Sequence, residues 1–348
     1  MTKRDARYEF IRVVSMLLVI SAHALSQVPK TTALEEMMAY GLTTPFFLCN
    51  GLFFMLSGKF SLNARCERVW DYVNWYIKRL SAIGIPALVF MRLRTMHNSC
   101  WWPAYLRSPE LKQDYLRNVL SAFRGTEYWF LYVLVGFLLA APFLSKLMRA
   151  LSDREVLLLL AVGMLFNSLS IYLPAFGHSF SWEFPLGGWF VLFLLGHALE
   201  RLVTTPKAEA AVMVLGGLCY VLTQIQQYVG FIPGIHDLAP AYACMCAGAF
   251  LGLKKLYRPG RIRDRVFLVV GKHSLSVYLC HAMILDKLNG WIGTEGFLVP
   301  LVLRIVLTAA ASLAVAFILD STLIALLQAP LRWLQKGLAS RSRKGAVR

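Results

Sequence analysis

Residues able to do chemistry are sparse in this chain, and the pair that stands out is Arg12 and His23, eleven positions apart in an otherwise apolar run. On a helix that spacing is about 16 Å of rise and about 20° of rotation, so a guanidinium and an imidazole share one stripe. Arginine grips phosphate through paired hydrogen bonds, and histidine exchanges protons near neutral pH. The plainer reading is an arginine snorkelling to headgroups and a core histidine bonded to a neighbour. Ser274, Tyr278 and His281, at i, i+4 and i+7, form a second stripe. It reads either as the lining of a channel, with His281 near its outer exit, or as an interhelical hydrogen-bond seam. Arg65, Arg68, Lys78 and Arg79 suit a polyanion, or simply orient a loop. Glu127, Tyr128 and Trp129 put a carboxylate beside aromatic faces, which suits a sugar, or an interfacial belt equally. The seven cysteines include no C-x-x-C pair and no Cys/His knuckle, so neither a metal site nor a disulfide framework is expected.

These groups must be positioned by membrane helices. Of 348 residues, 57% are AVILMFWYC and 16% are charged, with a mean hydropathy of +0.56. That composition excludes an ordinary water-soluble enzyme. Ten stretches approach the roughly 20 apolar residues that a span requires. They lie near 11–27, 42–58, 76–93, 128–145, 155–174, 187–203, 209–229, 238–254, 266–286 and 297–328, the third being the weakest. The expected fold class is therefore all-α, a polytopic membrane protein of about ten transmembrane helices forming one domain over 1–348. Alternating the connections puts 25 of the 36 Lys and Arg on one side, which makes both termini cytoplasmic. The net charge of +17 thus reports topology, and no nucleic-acid partner is expected. The rival at the N-terminus is a cleaved signal peptide, with Ala22-His23-Ala24 as its cleavage site.

An outer loop over about 95–127 carries Trp101 and Trp102, then an amphipathic segment at Glu110–Asp114 that reads as a surface helix or a mere connector; a basic cytoplasmic tail covers 332–348. Lys272 and Asp320 are expected to neutralise each other. His197 reads as a satisfied interior histidine, and His97, His178 and His236 as outer-loop residues. Gly248 and Gly252 mark a helix contact and admit a homo-oligomer.

Taken in order, several segments resemble the membrane acyltransferase-3 family. Arg12 and His23 are similar to its R-x10-H first helix. Pro45 through Gly58 resembles its P-x-F-F-x-x-S-G second helix, Arg65–Arg68 and Tyr76–Arg79 its basic first loop, and Tyr128-Trp-Phe-Leu131 its fourth-helix start. Gly271 through His281 resembles its late S-L-x-I-Y-x-x-H helix, in a form similar to enterobacterial common antigen O-acetyltransferases. Glu9 and Val13 depart from the family's usual Asp and Gly.

The resemblance implies an integral-membrane O-acyltransferase of the inner (cytoplasmic) membrane. It would move an acyl group, acetyl in the first instance, from cytoplasmic acyl-CoA to a hydroxyl of an envelope or exported polysaccharide. His23 and Arg12 would be catalytic, while Arg65, Arg68, Lys78, Arg79, Ser274 and Tyr278 would hold the donor. Glu127, Tyr128, Trp129 and His281 would face the glycan or lipid-linked saccharide acceptor. Acetyl-CoA enters as co-substrate, no cofactor stays bound, and membrane lipids surround the chain. Competing readings are a proton-coupled secondary transporter and a catalytically idle glycan-assembly subunit.

Overall fold

The computed structural model describes residues 4–98, 109–121, 126–180, 182, 185–230, 238–293 and 295–344. Among the described residues the regular structure is entirely helical. The helices in chain order are α1 Ala6–Ser26, α2 Ala33–Ser61, α3 Val69–Asn98, α4 Pro109–Leu120, α5 Trp129–Ala150, α6 Asp153–Ala175 and α7 Trp189–Leu202. They continue as α8 Pro206–Tyr228, α9 Pro240–Leu256, α10 Arg261–Lys272, α11 Ser274–Asn289, α12 Leu298–Ser321 and α13 Leu323–Lys344. Local chemistry sets several starts. Thr32 with Glu35, and Ser152 with Glu155, form capping boxes, and proline opens α8 and α9 where no backbone donor is needed.

Among the described residues, six helices (α1, α2, α5, α6, α8 and α12) are long and apolar enough to cross a bilayer, with α10 and α11 together as a seventh, broken candidate. The chain is a membrane protein, but this falls short of the ten spans expected. Helix α3 begins at Val69 rather than near residue 76 and runs on to Asn98, which brings Asp71 and His97 within it besides Lys78 and Arg79. Helix α7 has only 14 residues and α9 only 17. The stretch 266–286 breaks at His273 (φ −95°, ψ 0°), which stands between the end of α10 at Lys272 and the start of α11 at Ser274. His273 Nδ1 lies 2.6 Å from Asp320 Oδ2, and Ser276 donates to Oδ1 at 2.6 Å, so the Asp320 carboxylate holds the break. The stretch 297–328 also divides, at Thr322 (φ −113°, ψ −92°).

The chain forms two compact units, residues 1–64 with 143–271 and residues 65–142 with 272–348. In the first, α2 packs against α1, α7, α8 and α9. Its crossing with α7 is glycine-dependent. A Cβ on Gly58 would lie 1.7 Å from the Phe193 carbonyl oxygen, and one on Gly196 1.9 Å from that of Met55. Pro45 lacks the N–H that would bond Gly41, and the freed Gly41 carbonyl accepts from the Tyr220 hydroxyl at 3.2 Å. One turn further on, the Tyr242 hydroxyl accepts the Gly51 N–H at 3.0 Å and donates to the Phe47 carbonyl at 2.8 Å. A hydroxyl thus bridges two groups that stand at i and i−4 in α2. In the second unit α3 packs on α4, α11 and α13, and α12 lies against α11 and α13.

Candidate functional site

In the first unit, α1 carries the sequence-predicted pair. Asp5 caps the helix by accepting the Arg7 N–H at 2.9 Å, and the Arg7 guanidinium holds the Asp5 carboxyl below its ordinary value. Glu9, one turn on, is buried, and Arg4 clamps it bidentately at 3.0 and 2.8 Å. Arg12 reaches the same carboxylate from the other side, with longer contacts of 3.4 and 3.3 Å, and its guanidinium carbon lies 6.0 Å from the centre of the Phe60 ring. Two guanidiniums therefore share one carboxylate, Arg12 making the longer contacts to it. Gly271 makes room for this arrangement: a Cβ there would meet Glu9 Oε2 at 2.4 Å. His23 lies half-buried in the last turn of α1, where the Ser26 hydroxyl donates to its carbonyl at 2.7 Å.

Several cations that the sequence assigns only to orientation are structural pins in this unit. The Glu200 carboxylate receives the Tyr8 hydroxyl, the Lys59 ammonium and, at 2.6 Å, the Lys254 ammonium, so α1, α2, α7 and α9 are tied at one point. Arg201 pairs with Asp153 at 2.6 Å and donates to the Met148 and Leu151 carbonyls. Arg149 donates to the Ala64 carbonyl at 2.7 Å. The only sequence-level signal for these is a charge at a helix end, which does not reveal its partner. His197, expected to be satisfied, has no hydrogen-bond partner for Nδ1 among the described residues.

The second unit holds the remaining predicted residues. Arg65, Arg68 and Lys78 are exposed, and Arg79 lies 5.8 Å from the Trp75 ring centre. With α3 starting at Val69, Lys78 and Arg79 stand about 15 Å along its axis from Arg68, so the four do not form one tight cluster. Ser274 is buried at the first turn of α11. The Tyr278 hydroxyl donates to the Glu127 carbonyl, and Tyr128 returns a bond to the Leu279 carbonyl at 2.7 Å. His281 is fully buried, its Nδ1 2.5 Å from the Tyr278 carbonyl, and Trp129 opens α5. Glu127 and Tyr128 are thus joined to Tyr278, while the Glu127 side chain is buried 3.9 Å from Arg94 Nε.

Around that point lies a charged group the sequence did not assemble. Arg94 binds Asp286 at 2.9 Å, and His97 lies 3.7 Å from the same carboxylate, at the end of α3 rather than in a loop. Asp320 pairs with His273 and not with Lys272, which is exposed. Arg304 is fully buried and bonds the neutral Asn289 side chain at 2.8 Å. The sequence-level readings of Trp101, Trp102 and His236 lie outside the described residues, and His178 is exposed.

Chemically, α1 can offer a half-buried cation at one end of a stripe and an imidazole about 16 Å away. That suits binding an anionic group at one point and moving a proton at another. Among the described residues no three His, Cys, Asp or Glu side chains gather as metal ligands. A family model described as an acyltransferase domain, acyltransferase-3, matches residues 5–321, a stretch that holds Glu9, Arg12, His23, Gly271 and Asp320. No curated protein and no solved structure matches the chain.

Proposed function

The chain belongs to the acyltransferase-3 family and is a membrane acyltransferase, and on that premise we propose that it transfers an acetyl group from cytoplasmic acetyl-CoA to a hydroxyl of an envelope polysaccharide. The observation that carries this reading is the α1 stripe, in which a half-buried Arg12 at Glu9 and His23 three turns further on share one helix face. The donor's phosphates would engage Arg12, Arg65, Arg68, Lys78 and Arg79, because a polyanion entering a membrane site needs cations at its mouth. The pantetheine arm would extend from Arg12 toward His23, and the separation of about 16 Å is of the right order for that arm.

There His23 removes the acceptor hydroxyl proton as the oxygen attacks the thioester carbonyl and the CoA thiolate leaves; or else its nitrogen accepts the acyl group first and passes it on. Ser274 and Tyr278 are proposed to support the arm. Glu127, Tyr128, Trp129 and His281 would serve the saccharide or lipid-linked saccharide acceptor. The enterobacterial common antigen type is the proposed subfamily, and an inner membrane with both termini cytoplasmic the proposed setting.

The test is transfer of labelled acetyl to isolated envelope glycan by purified protein in proteoliposomes. His23→Ala is expected to insert and fold yet lose transfer by a factor of 100 or more, on the order of what a positioned general base contributes. Near wild-type transfer by that variant would overturn the assignment. Label retained on the wild-type protein without acceptor, and absent from His23→Ala, selects the acyl-carrier route over the general-base route.

A further inference from the structure

The segment joining α9 to α10 concentrates charge that neither the pins nor the proposed donor site uses. Lys255, Arg258, Arg261, Arg263 and Arg265 fall within eleven residues, and among the described residues none of them makes an ion pair. The one carboxylate among them, Asp264, is already occupied by the Tyr257 hydroxyl and the Gly260 N–H. Those contacts hold Asp264 below its ordinary value, whereas burial and the Asp264 carboxylate push Tyr257 up to about 12. The corner is therefore fixed, with a net excess of cations.

Helix α10 shows two faces. Phe267 turns inward, onto Phe10 at 4.9 Å between ring centres and onto Tyr257 at 5.8 Å. Ile262, Val266 and Val269 turn outward, 81%, 49% and 47% exposed. At 100° per residue these three fall within about 60° of one another, flanked by Arg261 and Arg265 on one side and Arg263 on the other. An exposed apolar stripe bordered by arginines is the pattern of a helix lying at a lipid headgroup boundary. Beside it opens a cavity of about 410 Å³ lined by Phe10, Leu256, Tyr257, Val266 and Phe267, with Arg258 and Arg263 at its polar edge. Its volume is within the range that holds a small ligand. Apolar walls continuous with an outward-facing stripe suit an acyl chain, and two arginines that make no ion pair among the described residues, with Arg263 donating to the Arg258 carbonyl at 2.6 Å, suit a phosphate.

We propose that this cavity is a binding site for one anionic phospholipid, its acyl chain lying along Leu256 and Val266 and its phosphate held by Arg258 and Arg263. Phe10 in its lining belongs to α1, so the occupant bears on the helix that carries Arg12 and His23. The lipid is part of the molecule's setting and takes no part in group transfer; the inference does not depend on the acyl donor.

Native mass spectrometry of the full-length protein, titrated in detergent with phosphatidylglycerol and separately with phosphatidylcholine, tests it. One saturable phosphatidylglycerol is expected to bind in preference to phosphatidylcholine. Arg258→Gln and Arg263→Gln are each expected to weaken it about fivefold, the worth of one cation against an anionic headgroup. Val266→Phe fills the cavity without changing charge and should weaken binding as well, whereas Arg154→Gln, an equal charge change at another exposed position of the same unit, should not. Equal retention of the two lipids, or unchanged binding in both arginine variants, would overturn the proposal. So would displacement of bound phosphatidylglycerol by coenzyme A or adenosine 3′,5′-bisphosphate, which would make the cavity a nucleotide site instead. Inorganic phosphate competing as well as the lipid does would reduce it to a simple anion site.

Discussion

Glu9 is engaged on three sides by Arg4, Arg12 and Gly271, and only the helical spacing from Arg12 is visible in the sequence. Arg12 and His23 are legible because both sit on one helix, where position follows from counting residues. Gly271 lies 262 positions from Glu9, and nothing local marks it as the residue that clears space for a carboxylate. The geometry predicts a specific compensation. In Gly271→Ala the new methyl would lie 2.4 Å from Glu9 Oε2 and 3.1 Å from its Cβ, so the carboxylate must leave Arg4 or the helices must part. Overpacking of this kind costs about 1–3 kcal/mol, and loss of the bidentate pair adds to it. Adding Glu9→Asp, which withdraws the carboxylate by one methylene, is expected to restore part of that stability. Thermal unfolding of the two single variants and the double variant gives the coupling, expected at about 0.5–3 kcal/mol. Strictly additive losses would show that Gly271 and Glu9 do not constrain each other.

Helices carried the clearest sequence signal, and their ends the poorest. Hydropathy located α1, α2, α5, α6, α8 and α12, yet it missed the early start of α3 and the breaks at His273 and Thr322. The missed features share a cause. A break stabilised by Asp320, 47 residues beyond His273, depends on a tertiary partner rather than on a local breaker. The Pro45 segment is the converse case. Its sequence announces a disturbed helix, but only the fold supplies Tyr220 and Tyr242 to satisfy the backbone there. The α2–α7 crossing gives the prediction at this scale. Gly58 and Gly196 allow backbone to touch backbone, which in a membrane provides close packing that larger residues cannot. Gly196→Ala would thrust a methyl to 1.9 Å from the Met55 carbonyl oxygen, with no flexible group to yield. We expect a loss of about 1–3 kcal/mol or more, read as a lower melting temperature and a smaller monodisperse fraction in detergent. Gly84→Ala, where nothing lies within 4 Å of an added Cβ, should be silent in the same assays.

Across the whole molecule the surplus of cations divides into those the fold consumes and those it leaves open. Lys59, Arg149, Arg201 and Lys254 close helix ends or feed Glu200, so their neutralisation should lower stability first and activity only as a consequence. Arg65 and Arg68 are exposed and form no ion pair among the described residues, which suits a polyanionic donor and equally a topological anchor. Composition could not separate these classes, because both contribute the same charge.

The distinction is measurable. If Arg65 and Arg68 bind the donor's phosphates, each well-ordered charge-assisted contact is worth about 1.5–3 kcal/mol, or roughly ten- to a hundredfold in apparent affinity. The double variant Arg65→Gln, Arg68→Gln should then raise the acetyl-CoA concentration for half-maximal transfer at least about tenfold. Its melting temperature and its dependence on acceptor should stay unchanged. Added salt should reproduce the shift in the wild type and do less in the variant, because screening acts on the contact already removed. Arg201→Gln, by contrast, should lose stability while the folded fraction keeps its half-saturation point. An unshifted half-saturation point in the Arg65, Arg68 double variant would make that pair an orientation signal. The donor's phosphates would then have to be met by Lys78, Arg79 and Arg12, and the carboxylate partner of Arg12 already favours Arg4.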